Sequence, residues 1–268
     1  MELTTIFSKL FDPYERQARL YPGLLVVAPA ATVFMCLTTP DKLWSSTLVS
    51  LLVGCGTAYA LGRVARDAGK RLQDRLFSKW GGAPTTQILR HSNSVIDAHT
   101  KDRYHKVLSK GIGKSFPTQE SEMTDPQAAD DLYRAGTTWL LGQTRDTKLF
   151  PLVFKENIAF GFQRNTFGLR IIGILVSMFC LLFVLVIVAY RSNFIASPTL
   201  EAITNIGAPQ LVALAVSLAF LSMWIFGYTE QALQRTAFAY ALRLLESCDR
   251  LAQTKTPATK KRSLSSTA

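Results

Sequence analysis

The sequence predicts an all-α integral membrane protein: four transmembrane helices arranged as two hairpins, with a small helical cytoplasmic domain inserted between spans 2 and 3. Three observations predict it. Four uncharged apolar stretches, Pro22–Pro40, Leu43–Gly62, Ile171–Tyr190 and Ile206–Tyr228, each match the roughly 20 helical residues that a hydrocarbon core of about 30 Å requires. The excess positive charge is confined to the regions that the spans would leave on one side. Finally, the intervening segments lack the period-two alternation of strands and carry helical spacing instead.

The charge distribution orients the chain. Residues 1–21 hold three basic and three acidic side chains, and the 40–44 and 191–205 connections hold one of each. The stretch from Arg63 to Arg170 has 18 basic and 11 acidic residues, and the chain from Thr229 onward has 7 and 3, so these two regions supply the whole surplus of +11. The positive-inside rule places both in the cytoplasm, and an even number of spans then places the N-terminus there too. Ser8, Ser94 and Thr256 are expected inside, Asp41 and Ser197 outside.

Taken in order, the chain opens with an N-terminal arm (1–21) whose mixed charge and length argue against a signal peptide. The first hairpin (22–63) follows, with Pro29 marking a kink in its first helix. In the second span Ser46, Ser50, Gly54, Ala58 and Gly62 recur every fourth residue, a row of small side chains that lets another backbone approach closely. The cytoplasmic domain (64–168) begins as a continuation of span 2, with Val64, Ala68, Leu72 and Leu76 forming an apolar stripe until Gly81-Gly82 and Pro84 stop the helix. Shorter helices are expected around Thr86–Arg90 and Lys101–Lys110. Another starts at Pro126 behind an Asp125 cap, and one from Pro151 runs into span 3. The second hairpin (169–228) leads into an amphipathic helix (229–253) with Leu233, Ala237, Tyr240, Leu244 and Leu251 on one side, and a basic tail (254–268) reads as disordered.

Most chemical signals dissolve on inspection. Lys110-Gly-Ile-Gly-Lys-Ser115 ends like a phosphate-binding loop, but the motif needs a glycine where Ser109 stands, so a solvated turn is the reading. His91, His99 and His105 crowd together, yet lack the four-residue spacing that aims two imidazoles at one metal; a surface helix is expected and no metal site. Cys36, Cys55, Cys180 and Cys248 suggest apolar packing and no disulfides. No catalytic set and no cofactor motif is legible, and nothing indicates specific nucleic-acid binding. The spans hold no ionisable residue, which disfavours a proton-coupled or ion-coupled transporter. What remains is a cationic, amide-bearing set before span 3 and near the first short helix: Arg90, His91, Arg145, Lys155, Glu156, Asn157 and Arg164. It suits a phosphate-bearing ligand, or else an interfacial belt of aromatic anchors and snorkelling bases.

The strings WGGAPTTQILRH, TRD followed by FP, and ENIAFGFQRN resemble those of a family of small bacterial four-transmembrane proteins. The architecture is also similar to that of four-span membrane effectors in nucleotide-signalled phage-defence systems, which implies a sensor role for the cytoplasmic domain and breach of the membrane as output. The implied partners are the lipid bilayer, further copies of the chain in a homo-oligomer, and a soluble sensor protein or nucleotide second messenger. The competing expectation is a non-transporting scaffold that recruits a soluble partner through its basic surface.

Overall fold

A computed structural model describes residues 12–38, 40–192 and 206–254, without the side chains of 40–55, 58 and 254. Most of the N-terminal arm, the connection at 193–205 and the basic tail lie outside the described residues, and the side-chain surroundings of Ser46, Ser50, Gly54 and Ala58 of the small-residue row are likewise not described. Every described element is helical: α1 (Tyr21–Leu37), α2 (Pro40–Lys79), α3 (Pro84–Leu89), α4 (Ala98–Ile112), α5 (Gln119–Thr124), α6 (Pro126–Gln143), α7 (Pro151–Arg191), α8 (Ala208–Ser222) and α9 (Glu230–Thr254). A π-helical turn, Glu15–Leu20, leads into α1, and another, Met223–Gly227, closes α8. Three of these helical segments, Glu15–Leu37, Pro151–Arg191 and Ala208–Gly227, are long and apolar enough to cross a membrane, which supports a membrane location.

The chain forms two compact units, one from Met1–Lys79 with Asn157–Ala237, the other from Trp80–Glu156 with Phe238–Ala268. In the first unit, α1 packs against α2 and α8. One apolar cluster joins Val26 of α1, Ala65 of α2, Leu169 of α7, Trp224 and Tyr228; a second joins Val33, Cys180, Val184 and Ala213. Glycines set the distances between these helices. A Cβ on Gly168 would lie 2.9 Å from the Gly69 backbone nitrogen, and one on Gly62 would lie 2.9 Å from the Arg19 carbonyl oxygen. Gly62, the one described member of the predicted row, therefore packs on a neighbouring segment of its own chain.

The buried face of α2 differs from the expected stripe. Of that stripe Leu76 is buried and Ala68 and Leu72 are half-buried, but Val64 is 49% exposed, and Ala65 and Gly69 are buried in its place. The face is turned by one residue because Gly62, Ala65 and Gly69 permit backbone approach that a valine edge blocks, and close approach outweighs the apolar area of Val64. Arg170, just ahead of the third apolar stretch, donates to the Trp224 and Ile225 carbonyls at 3.1 and 2.8 Å. The π-helical turn breaks the regular ladder there, and the guanidinium fork takes up oxygens the ladder releases.

In the second unit the caps follow the sequence. Positive φ at Gly81 and Gly82 ends α2, Pro84 opens α3, and the Asp125 carboxylate accepts from the Ala128 amide at the start of α6. The supposed solvated turn at 110–115 is in part the last turn of α4, closed by Gly113 in the left-handed region at φ +68°. Ile88, Leu89, Tyr104, Leu108, Tyr133 and Leu140 form the core with Leu244, Leu245 and Cys248 of α9. Arg103 and Asp249 tie α4 to α9 at 2.7 Å.

Candidate functional site

The second unit is organised around one face of α4. Asp97 caps its first turn through the Thr100 amide at 2.9 Å, and Lys101, Tyr104, His105 and Leu108 then recur at helical spacing on the buried side. His105 is 7% exposed, so the expected surface helix is corrected: α4 is amphipathic, and its inner face carries a lysine and a histidine. Both polar groups meet the frayed end of α3. His105 Nε2 donates to the Leu89 carbonyl at 2.8 Å, while Lys101 Nζ donates to the Arg90 carbonyl at 2.7 Å and also to that of Asn93. Carbonyls at a helix C-terminus carry partial negative charge, so a cation placed there recovers part of its lost hydration.

Facing this end is Glu122, 8% exposed, from α5. Its carboxylate accepts from the His91 amide at 2.9 and 3.1 Å and from the Tyr133 hydroxyl at 2.6 Å. Arg90 lies beside it in a two-pronged pair with Asp130 at 2.9 and 2.6 Å, and also donates to the Gly81 carbonyl at 2.8 Å. The rings of His91 and His105 meet edge-on at 5.1 Å, with Phe116 and Tyr133 completing the stack. Burial pushes the proton affinity of His105 below the usual histidine value. Burial likewise lowers that of Lys101, against the opposing charge of Glu122. Burial, reinforced by the bond to Glu122, raises the Tyr133 phenol well above its usual range.

A cavity of about 450 Å³ opens on this knot, lined by His91, Asn93, Ser94, Asp97, Lys101 and His105 among others. The Nε2 atoms of both histidines are engaged by main-chain carbonyls, His91 with Pro117 at 2.9 Å. A carbonyl only accepts, so each ring carries hydrogen on Nε2. Among the described residues no hydrogen bond joins Ser94 to either imidazole, and no group of three or more His, Cys, Asp or Glu side chains is placed to hold a metal ion. The arrangement orders the 90–97 loop and offers a small polar recess.

Of the seven residues predicted to bind a ligand, only His91 lines this cavity. Arg90 is held by Asp130, and Arg145 and Lys155 are exposed on the same unit with Glu156 half-buried. Asn157 and Arg164 belong to the other unit, where Arg164 donates to Gln73 and Asn165 at 2.9 and 3.2 Å. Sequence reasoning missed Lys101, His105, Glu122, Asp130 and Tyr133. The spacing of 101, 104, 105 and 108 was a signal for the first two; the others become partners only through tertiary contact. Comparison with protein-family models, curated proteins and solved structures finds no match.

Proposed function

We propose that the protein is a membrane effector, a small channel-like assembly whose helical domain receives a ligand or partner signal and whose spans then perturb the bilayer. The observation that supports this reading most is α7, one helix from Pro151 to Arg191. It starts beside Phe150 and includes Val153, both in the core of the domain, and it carries Leu169, Cys180 and Val184 of the membrane-unit clusters. A signal that reorders the knot at α3–α5 would bear on that core and so on the helix leaving it. In this reading Leu43–Gly62, within α2, is a fourth span, both termini and the domain are cytoplasmic, and copies associate in a bacterial inner membrane. The input is a soluble partner or a nucleotide second messenger, and phage defence is a fitting context.

Induced expression in bacteria carrying a membrane-potential dye tests it: depolarisation is expected. Unchanged potential at full expression would sink the effector reading. It would favour the scaffold, which draws on the exposed basic run Arg63, Arg66, Lys70, Arg71 and Arg75 of α2. Reporter fusions at Ser94 and Ser197 check the topology separately.

A further inference from the structure

We propose that Arg19, Arg66 and Arg164 form a site for the phosphate headgroup of an anionic phospholipid, built where the π-helical turn before α1 meets α2 and α7. Position is the first argument. Arg19 stands shortly before the first apolar stretch, Arg66 shortly after the second and Arg164 two turns before the third. At 1.5 Å per residue Arg19 and Arg66 fall about 5–6 Å beyond the ends of those stretches, within a headgroup layer roughly 5–8 Å deep, and Arg164 about 10 Å beyond, at its outer edge.

Charge is the second. The Arg164 guanidinium is half-buried, and its donors reach neutral oxygens, Gln73 Oε1, Asn165 Oδ1 and the Tyr14 hydroxyl, above the Phe160 ring at 5.7 Å. Arg19 is paired with Glu15, yet its Nε is buried and has no hydrogen-bond partner among the described residues. Arg66 is exposed and, among the described residues, has no ion pair; its charge and that of Arg19 both bear on Arg164. One carboxylate, Glu15, thus accompanies three guanidiniums.

Construction is the third. Gly62 lies against the Arg19 carbonyl and Gly69 against the Arg164 carbonyl, while Asn165, fully buried, donates to the Ala18 carbonyl at 2.7 Å. Tight packing therefore forces like charges together, which is repulsive until a counter-anion enters. A phosphodiester supplies that charge and accepts the planar donors of arginine. Exposed Tyr21, Leu24 and Val64 follow the cluster on its apolar side and offer a surface for acyl chains. The site stands whether or not the protein depolarises membranes, so it fails or succeeds independently of the effector reading.

The test uses the full chain in phosphatidylcholine nanodiscs, following Tm as phosphatidylglycerol is raised, with inorganic phosphate as a parallel arm. Phosphatidylglycerol should raise Tm, and Arg66→Gln should increase the amount needed for half the effect about tenfold, as loss of one charge-assisted contact implies. Arg164→Gln should act likewise, while Arg75→Gln, further along α2, leaves the titration unchanged. Arg66 is exposed, so its variant reports even if Arg164→Gln folds poorly. Equal responses of Arg66→Gln and Arg75→Gln, an absent phosphatidylglycerol effect, or equal stabilisation by inorganic phosphate would each overturn the lipid site.

Discussion

The membrane-helix unit and the helical domain bury polar groups in opposite ways. In the domain nearly every buried polar side chain is tied to a partner: Glu122 accepts from two elements, Lys101 is ringed by carbonyls, and among the described residues Thr86 Oγ1 is the exception. Within the apolar stretches of the membrane unit Ser177, Ser217 and Trp224 are fully buried, and their Oγ and Nε1 atoms have no partner among the described residues, whereas Asn165 and Thr166, ahead of the third stretch, are bonded to carbonyls. The solvent of the unfolded state explains the difference. A domain hydroxyl leaves water on folding and must replace its hydrogen bonds, whereas one in a span leaves a medium that was already dry. The two units also pack differently. In the domain the glycines at tight contacts meet side chains, Gly111 the Trp139 ring and Gly136 the Phe116 ring, while in the membrane unit Gly62 and Gly168 meet backbone, the Arg19 carbonyl and the Gly69 nitrogen.

The strongest way to break this comparison is to fill a glycine contact. Gly168→Leu sets a branched side chain against the Gly69 backbone, which cannot move aside, so a loss of about 3 kcal/mol or more is expected. Gly56→Leu, which meets nothing within 4 Å, should be near neutral. Thermal unfolding in detergent compares them, and equal losses would remove the role of close approach.

The domain's counterpart is Glu122→Ala, which strands the Tyr133 hydroxyl and the His91 amide and takes the opposing charge from Lys101. About 3 kcal/mol is expected, read as faster amide exchange across α4–α6, with Glu122→Gln losing less. A smaller effect follows from His105. Its folded proton affinity lies below the ordinary value near 6.5, so below that pH the unfolded chain binds the extra proton and stability falls, by at most about 1.4 kcal/mol per pH unit. His105→Gln should flatten amide-exchange protection between pH 7 and 5 relative to the parent, and an unchanged slope would assign it to another group. Smallest of all is Ser177→Ala, expected within about 0.5 kcal/mol of the parent in the same thermal assay. A large loss there would show that the buried hydroxyl has a partner in the membrane and would narrow the contrast between the units.

Much of the helical layout was legible in the residues themselves. Asp125 before Pro126, Pro151 and the Gly81-Gly82 pair act within a single turn, so their effects are local and α6 and α7 begin where proline chemistry places them, while Pro84, expected to act as a stop, opens α3 two residues ahead of the expected Thr86. The apolar runs at 22–40, 171–190 and 206–228 are equally self-contained, since hydropathy over 20 residues needs no partner. Boundaries slipped where capping was subtler: α1 is preceded by a π-helical turn from Glu15, and α5 is held by a Thr118 cap that sequence reading passed over.

By itself, then, the sequence determined most of the helical segments, α5 excepted, along with where proline and glycine interrupt them and which runs suit a bilayer. The inner face of α9, with Leu233, Ala237 and Leu244 buried, was also legible, but tertiary structure decided which faces of α2 and α4 are inside. Val64 lost to Ala65 and Gly69 because the neighbouring helix rewards closeness over area, and His105 turned inward because α3 ends beside it with carbonyls to satisfy. The assembly of Arg90, Lys101, Glu122, Asp130 and Tyr133 into one knot was likewise beyond a linear reading. A charge on a helix is compatible with either water or a buried partner, and only the arrival of that partner in space selects between them.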